Sequence, residues 1–138
     1  MNRFLSSGPV YQNFGLTLVR LILGAFLIYH GWEVFSEEKI NGYLQWDIFK
    51  GSNGKLMVYL GKASELAAGI LFVFGFLTRI ASLITIGAMF YIAFIVGEGR
   101  IWYEEQYPFL FILLALVFFF TGPGSFSLDS LIFKKRKA

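Results

Sequence analysis

The chain has 138 residues, of which 57% are hydrophobic and only 15% charged, with a formal net charge of +3 and no cysteine. A mean hydropathy of +0.64 lies outside the balance of a soluble domain, so residues 1–138 read as one integral membrane unit with no room for a separate soluble domain. The missing cysteines exclude disulfides, thiolate metal sites and thiol redox exchange by the chain itself. Most of the net charge is one tail, Lys134 to Lys137, which reads as a lipid-headgroup anchor rather than a nucleic-acid contact.

Four apolar runs follow in order, at 14–35, 56–77, 80–97 and 108–122, and predict an all-α four-helix membrane bundle. The first two have 22 residues each and the third 18, enough to cover about 33 and 27 Å at the helical rise. The fourth has 15 residues, about 22 Å, and is short for a hydrocarbon core of about 30 Å. Flanking Tyr107, local thinning of the bilayer or partial burial would make up the difference. Pro108 suits a first helical turn, and Gly122-Pro123-Gly124 is a sharp stop. The first run is expected to stay in the protein rather than act as a cleaved leader, because it is long, has no small-residue cleavage pattern after it and carries Arg20, His30 and Glu33.

Counting Lys and Arg predicts an N-in/C-in arrangement. Arg3, Arg79, Lys134, Lys135, Arg136 and Lys137 share one side, against Lys39, Lys50, Lys55 and Arg100 on the other. Arg20 adds to the inner side, and Trp32, Trp46, Trp102, Tyr103 and Tyr107 then fall at the outer interface. The connection 41–55 mixes apolar and charged residues before a Gly-rich turn and is expected to cap the outer surface. The segment SFSLDSLIFKKRK, residues 125–137, reads as a short amphipathic stretch at the lipid surface.

Ionisable groups inside spanning segments carry the functional question, since each costs on the order of 3 kcal/mol at the bilayer centre. Spans one and two run in opposite directions, so depth follows from counting: His30 and Lys62 lie about 8 and 9 Å below the outer ends. Glu33 stands about one turn above them and Glu65 about one turn below, with the i, i+3 spacing that brings His30 to Glu33 and Lys62 to Glu65. Gly24 and Gly31 on the first span, and Gly61, Ser64, Ala68 and Gly75 on the second, are small enough for close helix approach. Arg20 shares the stripe of Gly24 and Gly31 and needs an internal partner, with Asp129 and carbonyls freed at the Gly-Pro-Gly break as candidates. Two readings stay open. In one, the charges only pair and lock two helices in register; in the other, they line a pocket in the outer half of the bilayer, with Tyr29 and Trp32 as aromatic walls. One His and one Glu at 30 and 33, with no second histidine, do not supply a metal site of the paired Glu-x-x-His kind.

The residues RLILG at 20–24, HGWEVF at 30–35, ELAAGILFVFGFLTRIASL at 65–83, YP at 107–108 and GPGSFSLD at 122–129 resemble the DoxX family of small bacterial membrane proteins. The resemblance implies four helices in the cytoplasmic (inner) membrane and an oxidoreductase link, since family relatives are subunits of quinol-linked and thiosulfate:quinone enzymes. It points to Arg20, His30, Gly31, Glu65, Thr78, Arg79, Gly122, Pro123, Gly124 and Asp129 as motif positions. Val34 stands where many members carry a lysine, and Lys62 is a candidate replacement for that cation. The expectation is a subunit with no redox centre of its own that binds a quinone between spans one and two. His30 and Glu65 would be the candidate catalytic groups, and Arg20, Tyr29, Trp32, Glu33, Lys62 and Arg79 the rest of the ligand-binding or polar cluster. A redox or membrane-protein partner and a homo-oligomer accompany that expectation. The alternative is a non-enzymatic scaffold or assembly partner whose internal ion pairs are structural.

Overall fold

A computed structural model describes residues 5–133, and among these the structure is all-helical, with no strand. Arg3 and the basic tail at 134–137, with the headgroup anchoring expected of it, lie outside the described residues. Helix α1 covers Gln12–Gly31 and continues as a 3-10 turn over Trp32–Phe35; α2 is a short helix, Glu37–Leu44; α3 covers Gly54–Phe74. Helix α4 covers Thr78–Phe90 and runs on as a π-helix over Tyr91–Val96, followed by α5 at Gln106–Thr121 and a single turn, α6, at Leu128–Ile132. Three of these segments, Gln12–Phe35, Gly54–Phe74 and Thr78–Val96, are long and apolar enough to cross a membrane. The fourth, α5, begins one half-turn before Pro108 and has 16 residues, about 24 Å.

Leu23 and Leu27 of α1, Ala68 and Phe72 of α3, Ala81 and Met89 of α4, and Ile112 and Phe118 of α5 form one buried core. All four long helices therefore close on a single axis, while large apolar side chains such as Phe26, Leu60, Ile80 and Phe120 remain exposed on the outside, as lipid contact requires. The tightest seam is α1 against α3. A Cβ on Gly24 would meet Gly69 O and Val73, and one on Gly31 would run into the backbone of Leu66. The α1-facing stripe of α3 is thus Lys62, Leu66, Gly69 and Val73. Gly61, one of the small residues expected there, has open space around it.

The end of the bundle bearing α2 (the cap end) has its own small core. Ile40, Phe49 and Val58 are buried, with Tyr43, Leu44, Tyr59, Tyr91 and Val96 packed on them. Tyr91 and Val96 are five residues apart, and the π-helix is what aligns positions i and i+5 on one face. Helix α2 starts cleanly because Ser36 Oγ accepts the N–H of Lys39 and Glu37 and Glu38 occupy its first turn.

At the opposite end, where the described residues begin and end (the terminal end), the chain after α5 folds back over the α3–α4 turn. Gly75 and Leu77 both have positive φ, 63° and 49°, so α4 begins without a side-chain cap of its own. Asp129 supplies one from 52 residues away: its carboxylate accepts Leu77 N at 2.7 Å and Thr78 N at 2.9 Å, and its own N–H donates to Gly75 O at 2.9 Å. Asp129→Ala is expected to lower stability by about 2 kcal/mol, because it leaves two helix N-terminal donors unpaired. Chemical or thermal unfolding in detergent checks it; an unchanged midpoint would show that the turn holds without the carboxylate.

Candidate functional site

The polar groups sort into two clusters, one at each end. At the cap end, the 3-10 turn after Gly31 carries Glu33 towards α3, where Lys62 Nζ lies 3.0 Å from Glu33 Oε2 and 3.4 Å from Glu65 Oε2. Tyr43 of α2 donates to Glu33 Oε2 at 2.6 Å, its ring sits 5.0 Å beneath the Lys62 ammonium, and Lys39 reaches Glu33 Oε1 at 3.4 Å. Lys62 is thus a bridge between two carboxylates in a region of low dielectric, where a lone charge is costly. The Lys39 contact is solvent-exposed on the lysine side and contributes little to stability. Tyr43 has its phenol pushed above the ordinary range by burial and by the hydrogen bond to Glu33, which keeps it a hydrogen-bond donor at neutral pH.

His30 is half-buried, stands edge-on to the Tyr29 ring at 5.5 Å, and makes no hydrogen bond among the described residues. It lies within electrostatic reach of Lys62, Glu33 and Lys39. Glu65 is 3% exposed, with Lys62 as its partner among the described residues. The structure therefore joins Glu33, Lys62 and Glu65 directly and sets His30 beside them.

A cavity of about 250 Å³ opens next to this cluster, lined by Ile28, Tyr29, Trp32, Glu33, Ser36 and Lys39. It lies between the end of α1 and α2, beside the seam where Gly24, Gly31 and Gly69 bring α1 close to α3. Tyr29 and Trp32 are cavity walls, Glu33 is shared by the cavity and the ion-pair chain, and His30, Lys62 and Glu65 stand outside the lining. Ser36, Lys39 and Tyr43 belong to this site although their positions in a polar connection gave little notice of it. The one available signal is the i, i+3, i+4 apolar spacing of Ile40, Tyr43 and Leu44, which turns that face of α2 inward. A second groove of about 370 Å³ between α1 and α5 is largely apolar, lined by Leu16, Val19, Leu114, Val117 and Phe118, with Tyr11 and Gln12 at one end.

Arg20 and Arg79 take no part in the cap-end cluster. Arg20 is 2% exposed and donates through Nη1 to Pro123 O and through Nη2 to Phe126 O, each at 2.8 Å, with Asp129 close enough to act on it electrostatically. Arg79 donates through Nε to Phe119 O at 2.9 Å, capping the carbonyl end of α5. Arg20 ties the terminal segment to α1, and Arg79 ties the end of α5 to α4.

Four packed helices with charged groups paired in their interior and apolar side chains outward define a small multi-pass inner-membrane protein. The chain belongs to the DoxX family, whose model matches residues 15–98. It is similar to a protein of Haemophilus influenzae, 29% identical over 135 residues that cover 91% of this chain and 96% of the relative. It is also similar to Inner membrane protein YqjF of Escherichia coli, 29% identical over 134 residues, 90% of this chain and 96% of the relative. Putative oxidoreductase CatD of Bacillus subtilis is 30% identical over 129 residues, 89% of this chain and 90% of the relative. No solved structure matches the chain significantly.

Proposed function

We propose that this protein is an inner-membrane subunit of a quinone-linked oxidoreductase that holds a quinone headgroup at the cap end, with the terminal end facing the cytoplasm. The observation that carries the reading is the aromatic and polar cavity formed by Tyr29, Trp32, Glu33, Ser36 and Lys39. At about 250 Å³ it is smaller than the roughly 300–1,000 Å³ of pockets that enclose a whole small ligand. It would take the ring alone and leave the isoprenoid tail in the bilayer. Aromatic walls suit a flat conjugated ring, and Lys39, Ser36 and the Trp32 indole suit its oxygen atoms. When bound, such a group carries electrons and protons that the side chains cannot carry themselves. The chain would position the ring between Tyr29 and Trp32, donate hydrogen bonds from Lys39 and Ser36, and hold Glu33 ionised against Lys62. Glu65 and His30 would act through Glu33 and Lys62 as positioning groups behind the cavity wall. The likeness to Putative oxidoreductase CatD supports a redox setting, and the electron donor would be a partner protein.

A second reading is a scaffold for another membrane protein. The glycine seam and the doubly paired Lys62 favour it, because both serve rigidity. One experiment separates the two: solvent extraction of the purified protein and mass spectrometry for isoprenoid quinones, in wild type, Trp32→Ala and Glu65→Gln at equal folded amounts. Trp32 is 61% exposed, so its loss should leave the fold intact. Quinone kept by wild type and reduced at least fivefold in Trp32→Ala, with an unchanged melting midpoint, supports the ligand reading. Equal trace amounts in all three, with only Glu65→Gln altered in stability, would support the scaffold.

A further inference from the structure

The cavity wall is unequal in what it can give and take. Glu33, its one carboxylate, already accepts Lys39 at Oε1 and both Tyr43 and Lys62 at Oε2. Ser36 Oγ accepts the Lys39 N–H and keeps its own proton to donate. Lys39 Nζ has one polar contact among the described residues, to Glu33, and an ammonium has three donors. The Tyr29 hydroxyl and the Trp32 indole N–H make no hydrogen bond among the described residues, and the indole can only donate. The unused capacity of the wall is therefore mainly donor capacity, and its strongest acceptor is engaged from three directions.

We propose, on the basis of the quinone reading above, that this cavity selects the oxidised form of the ring, whose two carbonyl oxygens only accept hydrogen bonds, over the hydroquinone, whose two hydroxyl protons also need acceptors that the wall has already engaged. Lys39 and Ser36 set the preference by donating, and Tyr43 sets it from outside the cavity by occupying Glu33. The raised pKa of the Tyr43 phenol, from burial and its bond to Glu33, keeps that acceptor filled across the neutral range. The preference is one of binding only and involves no electron transfer.

The test uses duroquinone and durohydroquinone, whose fully methylated rings leave no position for addition to lysine. Binding to the full chain in nanodiscs is measured by equilibrium dialysis under anaerobic conditions, with empty nanodiscs subtracted. Duroquinone should bind about tenfold more tightly than durohydroquinone. Lys39→Met should remove most of that difference by weakening duroquinone, and Tyr43→Phe should narrow it about threefold by freeing Glu33 to accept from the hydroquinone. Equal binding of the two forms, or tighter binding of the reduced one, overturns the preference and leaves the cavity as a quinone site. No binding of either above empty nanodiscs removes the quinone reading itself, and the preference with it. A wild-type preference that survives unchanged in both variants overturns the assignment to Lys39 and Tyr43.

Discussion

Lys62→Met is expected to destabilise the bundle by about 3–5 kcal/mol, the size typical of removing one partner from a buried ion pair. Met keeps the volume of the lysine stem, so packing changes little and the loss isolates the charge. Glu33 would retain Tyr43 and Lys39 as donors, but Glu65, 3% exposed, would keep no partner among the described residues. The effect should therefore be traceable to Glu65. Adding Glu65→Gln to Lys62→Met should recover most of the loss, since a neutral amide does not carry an uncompensated charge into the bundle. Thermal unfolding of wild type, both single variants and the double variant in one detergent reads the coupling. If Lys62→Met melts with wild type, the bridge contributes nothing to the fold, and its charge would have to be explained by ligand binding alone.

That bridge also shows what sequence can and cannot reveal here. The depth of Lys62 relative to His30 and Glu33 follows from counting residues on two antiparallel apolar runs, because helical rise is nearly constant. The pairing of Lys62 with Glu65 follows from their i, i+3 spacing, but its contact with Glu33 does not, because that depends on the switch to 3-10 geometry after Gly31, and the tighter winding turns Glu33 relative to a continuous α-helix. The seam glycines were half legible. Gly24 and Gly31 stand on the Arg20 stripe, but Gly69 was hidden among small residues of α3, of which Gly61 is equally small and makes no such contact. Gly75 reads as another seam residue by spacing, whereas its positive φ makes it the end of α3, a role that depends on the chain folding back from 122–129 to cover it. The cavity itself was least accessible. Tyr29, Trp32 and Glu33 were visible as an unusual group near the end of an apolar run, but their other wall, Ser36 and Lys39, comes from a connection whose only mark is the inward face of α2. Tertiary partners from polar connections leave no periodic trace in the spans they cover, which is why the internal charges were easier to find than the space beside them.

Arg20→Ala is expected to have an effect of similar size at the other end, about 2–5 kcal/mol for two stranded acceptors, by a different mechanism. The guanidinium is a fork that satisfies two carbonyls at once, Pro123 O and Phe126 O, both at 2.8 Å. Truncation removes both bonds, leaves a hole the length of the side chain beside Gly75 and Ser127, and strands carbonyls where little water is available to replace the donors. Asp129, which caps α4, also loses a nearby positive charge. The terminal segment should then detach before the spanning helices unfold, because its remaining ties are the Asp129 cap and the weak Asn13 contact to Ser125 N at 3.3 Å. Limited proteolysis of the detergent-solubilised protein should accordingly cut Arg20→Ala between residues 122 and 130 at protease levels that leave wild type whole. Arg20→Lys should fall between the two, since an ammonium supplies the charge without the planar fork. Cleavage of Arg20→Ala at the wild-type rate, with an unchanged melting midpoint, would mean that α5 and α6 hold the segment in place on their own, and that the buried charge serves something other than the fold.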